Sequence, residues 1–218
     1  MIDLHGISQD AFDLIVNSEV SSRKEYERSY RRPERPGGQS GITIGIGYDC
    51  GYSSAAIIRS DWSGKIPDAM VDVLCTVAGL KGQVAQSRLA SVRGKVDVPW
   101  GAALDVFSHV SIPKYLRACH VLPNFDELPP DCKGVLLSLV YNRGASFSQE
   151  GPRYREMRSI KALMAARQFA AIPDELRKMK RLWTTPSVRG VAIRREQEAR
   201  LFERGLNKSK ANELKKAA

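Results

Sequence analysis

Thr43-Ile-Gly-Ile-Gly-Tyr-Asp49 is the stretch on which the reading of this chain turns. From Gly41 to Tyr48, Ile42, Ile44 and Ile46 alternate with Thr43, Gly45 and Gly47. Alternation with a period of two predicts a β-strand. The glycines would leave the strand's other face nearly bare, so that another chain can approach its backbone. Thr43 and Asp49 would flank that face. Upstream, the run from Ser8 to Val16 predicts a helix with Ser8 as N-cap and Ala11, Phe12, Ile15 and Val16 as its apolar stripe. The helix is expected to fade near Glu19, because Ser21, Ser22 and a charged run follow. Two carboxylates and a hydroxyl around an open cleft suit hydrolysis of a glycosidic bond.

Outward from this stretch the pattern becomes helical. Residues 23–40 are basic and then rich in Pro and Gly, which predicts a loop or irregular hairpin, and Asp49-Cys-Gly turns the chain. Pro67 suits a first helical turn, followed by Ala69, Met70, Val73, Leu74 and Val77 at helical spacing. Pro99 and Trp100 open another helix, with Ala103, Leu104, Phe107 and Val110 on one side. Val135 to Tyr141 is apolar nearly all round, so that helix should be buried, with Gly144 as its stop. Residues 157–171, 174–183 and 187–205 read as three more helices. The last has Val188, Val191, Ala192, Ala199 and Phe202 as its inner stripe. The expected architecture is α+β and mostly helical. Residues 1–206 form one domain, with a small β lobe at about 20–65 and a helical lobe at about 66–206. Residues 207–218 form a polar basic tail that frays.

Composition sets outer bounds. A chain of 218 residues can bury a core without staples. No apolar run is long enough to span a membrane. The N-terminus lacks a basic start and an apolar h-region, so no signal peptide is expected, and another component would carry the protein to an external target. The net charge of +10 favours polyanionic partners, either nucleic acid or the anionic bacterial envelope, or else provides only a solvated surface. Arg23, Lys24, Arg28, Arg31, Arg32 and Arg35 crowd one segment, and Lys208, Lys210, Lys215 and Lys216 crowd the tail. Cys50, Cys75, Cys119 and Cys132 form no CxxC pair, and His5, His109 and His120 supply no zinc spacing, so no metal or other cofactor is expected. Cys75, Cys119 and Cys132 are expected to be small buried residues without a required disulfide. Cys50 neighbours the candidate site.

The central stretch resembles the lysozyme-like muramidases of phages, in particular the branch that includes pesticin-type bacteriocins. Phage lysozymes carry a Glu at the end of a first helix, then a Thr-Ile-Gly-x-Gly strand. The pesticin branch takes its second carboxylate from the Asp after Gly-Tyr, which here is Asp49. Typical phage lysozymes place that Asp a few residues before the Thr, where this chain has Pro36-Gly-Gly-Gln-Ser40. The resemblance extends to Asp131–Gly144, similar to the family's central buried helix. It continues in Trp183-Thr-Thr-Pro186, and in Arg194, Arg195, Glu198, Leu201 and Phe202 of a final helix. It covers most of residues 10–205 and implies a two-lobe layout with a cleft between the lobes.

What the resemblance implies is a peptidoglycan hydrolase that cleaves the β-1,4 bond between N-acetylmuramic acid and N-acetylglucosamine with inversion. Glu19 is the general acid, for which a raised pKa from burial is needed. Asp49 activates a water or stabilises positive charge at the anomeric carbon, and it also suits an Asx-turn before Cys50-Gly51. Thr43 holds the water through a hydroxyl that both donates and accepts. Glu25, Glu27 and Glu34 are rival carboxylates, for which salt bridging in the basic run is the simpler account. Tyr141 and Asn142 match cleft-floor positions, against helix packing and a C-terminal cap. Tyr48 and Tyr52 stack on sugar or simply pack, and Arg194 either meets a buried acid or points outward. Inversion needs carboxyls roughly 6.5–9.5 Å apart and retention roughly 5–5.5 Å. A lytic transglycosylase would need one Glu and no second carboxylate. A glycan- or nucleic-acid-binding module without turnover is the non-enzymatic alternative. The context is a phage endolysin, a bacteriocin or a secreted antibacterial effector, acting as a monomer on the wall. A toxin role implies a cognate immunity protein.

Overall fold

The computed structural model describes residues 2–217. It is 68% helical, with one two-stranded antiparallel sheet, so the mostly helical α+β class holds. The helices are α1 (Gln9–Val20), α2 (Arg23–Glu25), α3 (Ala55–Trp62), α4 (Asp68–Cys75), α5 (Gly82–Arg93) and α6 (Trp100–Val106). They continue with α7 (Ile112–Cys119), α8 (Pro130–Arg143), α9 (Arg155–Ala165), α10 (Ile172–Lys178) and α11 (Arg189–Ala217). The strands are β1 (Thr43–Ile44) and β2 (Tyr48–Asp49). No helix among the described residues is long and apolar enough to cross a membrane.

The chain divides into two compact units, one holding Glu19–Pro113 and the other Leu4–Ser18 with the chain from Lys114 onward. The first unit extends well beyond the expected lobe edge near residue 65, because the helices after the hairpin close onto it. Trp62, at the end of α3, is fully buried edge-on to Tyr48, with ring centroids 5.4 Å apart. Tyr26, also fully buried, donates its hydroxyl to the Val98 carbonyl at 2.9 Å and meets the edge of Trp100. The Val98 N–H reaches the Arg31 carbonyl, and the Gly79 N–H reaches that of Cys50. Leu74 of α4 and Val77 just beyond it are buried as expected, whereas Val71 takes the inner place expected of Ala69, Met70 and Val73, which are exposed or only partly buried.

The alternating stretch is a tight hairpin and not one strand. Gly45 and Gly47 have φ of +58° and +71°, in the left-handed region that glycine enters without steric cost. They turn the chain around buried Ile46, so their role is to make the turn and not to bare a face. A Cβ on Gly45 would also press on Trp62 at 3.1 Å.

In the second unit, the Ser8 hydroxyl accepts from the Ala11 N–H at 3.2 Å, which caps α1 as its sequence predicts. Residues 134–140 of α8 are all buried, and Gly144 ends that helix at φ +72°. Gly134 lets α8 approach Ala11, where a Cβ would stand 2.2 Å from the alanine's own. α11 differs from its expected form. It runs on to Ala217 where fraying was expected, and its buried face carries charge. Arg194, Arg195 and Glu198 are buried, while Val191 and Ala192 are only partly so. Arg195 donates to Glu198 at 2.7 Å, and Arg194 bonds both the hydroxyl and the carbonyl of Ser138 on α8. Arg194 is therefore inward and partnered, as buried charges must be.

Candidate active site

The site is built on the hairpin. In register, Thr43 pairs with Asp49 and Ile44 with Tyr48. The Cys50 N–H donates to the Ile42 carbonyl at 2.8 Å, just outside the Thr43–Asp49 pair. That bond marks Thr43 and Asp49 as a non-hydrogen-bonded pair, the kind whose Cα atoms stand about 4.5 Å apart with side chains closest. On its other side Thr43 exchanges both backbone hydrogen bonds with Glu34, at 3.0 and 2.8 Å. Directly paired residues project to one face, so Glu34, Thr43 and Asp49 form a row across three chain segments.

The Asp49 carboxylate is held in place by backbone donors. Both its oxygens accept from the Gly41 N–H at 3.1 Å, and Oδ1 also accepts from the Gly51 N–H at 2.8 Å. The second bond is the Asx-turn anticipated from Asp-Cys-Gly. Two glycines make this clamp possible. A Cβ on Gly41 would stand 2.5 Å from Asp49 Oδ1 and from the Gly51 Cα, and one on Gly51 would stand 2.8 Å from the Gly41 Cα. Thr43 is 9% exposed, and its hydroxyl makes no hydrogen bond within the protein among the described residues. Its donor and its acceptor are both left for a small molecule such as water.

Glu19 belongs to the same unit, in the last turn of α1. It is partly buried beside fully buried Val20. α1 itself starts at the Ser8 cap and buries Ala11, Phe12, Ile15 and Val16.

The family model named Pesticin, described as a bacterial toxin homologue of phage lysozyme, C-terminal part, matches residues 10–161, more than half of the chain. The chain belongs to the pesticin family. The matched span contains Glu19, Thr43, Asp49 and the buried α8, whereas the Trp183–Pro186 loop and α11 lie beyond it. No curated protein matches the chain.

Beyond those three residues the pesticin-like domain distributes its candidates unevenly. Tyr48 is 7% exposed, donates its hydroxyl to Asp61 at 2.7 Å and packs on Trp62, so of its two anticipated roles it takes packing. Tyr52 is 61% exposed, with the Lys81 ammonium 3.6 Å above its ring. Tyr141 and Asn142 lie in the last turn of α8, in the second unit. Tyr141 is partly buried against Tyr115, with centroids 4.5 Å apart, and Asn142 is exposed. The C-cap anticipated for Asn142 is supplied by Gly144. Cys50 is fully buried and its thiol is pushed well above the ordinary range by burial, so it is an inert core residue. All four cysteines are free, and Cys75, expected inside, is partly exposed. Among the described residues no group of His, Cys, Asp or Glu is placed to hold a metal ion.

Sequence reading missed the clamp glycines, Asp61 and the pairing of Glu34. The glycines had a signal: Gly41 and Gly51 flank Asp49 on either side within ten residues. Asp61 and the register of Glu34 had none, since both depend on loops that the local pattern does not specify.

Proposed function

We propose that this pesticin-family domain is a muramidase that hydrolyses the β-1,4 bond between N-acetylmuramic acid and N-acetylglucosamine in bacterial peptidoglycan. The observation that carries the reading is the cross-strand pair of Thr43 and Asp49, with the Asp49 carboxylate clamped by two backbone N–H groups and the Thr43 hydroxyl making no hydrogen bond among the described residues. Glu19 delivers its proton to the leaving oxygen as the glycosidic bond breaks. Asp49, fixed in place, stabilises the positive charge that builds on the anomeric carbon. Thr43 holds the attacking water. A fixed charge needs no reorganisation when the reaction occurs, which is why a rigid clamp suits this role better than a mobile surface acid. The family's description as a bacterial toxin homologue supports use as a bacteriocin or other antibacterial toxin domain.

Purified peptidoglycan, followed by turbidity and by new reducing ends, tests the reading. Glu19→Gln removes the proton donor and almost no volume, so the variant is expected to fold as the wild type does and to lose turnover by at least about 100-fold. Glu19→Gln hydrolysing wall at the wild-type rate removes Glu19 as the acid.

A further inference from the structure

The basic segment holds three acids, and two of them are accounted for by ion pairs. Glu25 meets Arg28 at 2.7 Å, and Glu27 meets Arg31 at 3.3 Å. Glu34 makes no ion pair and no side-chain hydrogen bond among the described residues, although it is partly buried. A partly desolvated carboxylate with no hydrogen bond or ion pair is costly to keep, and the charge of Arg93 offsets that cost only in part. Its place in the fold suggests why it is kept: it is the direct cross-strand neighbour of Thr43, on the side opposite Asp49.

Resting on the muramidase reading, we propose that Glu34 is a further catalytic carboxylate, the base that takes a proton from the water held by Thr43. Asp49 has both oxygens committed to Gly41 and Gly51, and its clamp fixes a charge in place. Glu34 has neither oxygen hydrogen-bonded among the described residues, and in a hydrogen-bonded antiparallel pair its Cα stands about 5.5 Å from that of Thr43, within reach of a shared water. The step balances. One water proton passes to a Glu34 oxygen, and the water oxygen bonds to the anomeric carbon. The glycosidic C–O bond breaks, and its electron pair stays on the leaving oxygen, which takes the Glu19 proton. Solvent then removes the proton from Glu34 and returns one to Glu19. Burial pushes the Glu34 carboxyl above the ordinary carboxylate range, with Arg93 partly opposing it. A base shifted towards working pH is a better proton acceptor.

The test compares wild type, Glu34→Gln, Glu34→Asp and Glu19→Gln on purified peptidoglycan across pH, with thermal melts to confirm folding. Glu34→Gln is expected to fall by about 100-fold or more in kcat and to lose the acidic limb of the pH profile, while Glu34→Asp keeps that limb at a reduced rate. Azide, a nucleophile that needs no base, is expected to restore turnover to Glu34→Gln and not to Glu19→Gln. Glu34→Gln at full rate beside an inactive Glu19→Gln overturns the assignment of Glu34 and leaves the muramidase reading standing. A slow Glu34→Gln with an unchanged pH profile also overturns it, because that is how a purely structural residue behaves. Wild-type protein that leaves peptidoglycan intact sinks both.

Discussion

Gly41→Ala is the substitution that most directly tests whether the Asp49 clamp organises the site. The new Cβ would stand 2.5 Å from Asp49 Oδ1, 2.5 Å from the Gly51 Cα and 2.6 Å from the Gly51 N. Restoring ordinary contact means a retreat of about 1 Å by the carboxylate and the Gly51 backbone. Overpacking of this kind costs about 1–3 kcal/mol. The same shift breaks the Gly41 N–H bonds to a charged acceptor, worth about 1.5–3 kcal/mol together. Loss of unfolded-chain freedom on replacing Gly returns about 0.5 kcal/mol. The net destabilisation is about 3 kcal/mol, which lowers Tm by about 6–12 °C in a chain of this size. Wall hydrolysis should collapse below the new Tm as well, although Glu19, Thr43 and Asp49 are all intact. Gly101→Ala is the control, since its Cβ meets nothing within 4 Å and it lies inside α6. That change should be neutral or stabilise by up to about 1 kcal/mol. Calorimetry and the turbidity assay read both variants. A Gly41→Ala protein melting within about 2 °C of wild type and turning over normally would refute the clamp.

Glu34→Gln should melt higher than wild type at neutral pH. Burial raises the folded pKa of Glu34, so its stabilising contribution is present below the unfolded carboxylate value and is lost as pH rises through the folded one. Gln carries no such loss, and the gap should close in acid; a variant that melts lower at neutral pH contradicts the desolvation argument. Binding to cell walls should weaken as salt rises, because exposed charges are screened beyond about 8 Å at physiological ionic strength. Reversing Arg23, Lys24 and Arg32 to Glu should mimic high salt, since all three are exposed, whereas Arg31 is tied to Asp97 at 2.6 Å and its reversal would disturb the fold. Wall pull-down that ignores both salt and the triple reversal leaves the charge as a solvated surface.

Several features were written in neighbouring residues, and the sequence alone determined them. The Ser8 cap, the stripe of α1, the buried α8 and its Gly144 stop depend on contacts within one or two helical turns, where spacing carries the information. Thr43 and Asp49 were legible as candidates through the motif they belong to, but that they stand directly opposite each other came only from the structure. The hairpin itself was not legible. Alternating isoleucines signal a strand whether or not the intervening glycines fold it back, and only the positive φ of Gly45 and Gly47 settles which. Burial of Arg195 and Glu198 on α11 contradicts any hydropathy stripe, since mutual pairing offsets a desolvation cost that no single residue reveals. Glu34 looked like one more acid in a basic run. Its register opposite Thr43 is set across the loop of residues 35–42, where closure depends on the packing of the whole unit and not on local propensity, and so only the tertiary structure could place a third carboxylate beside the threonine.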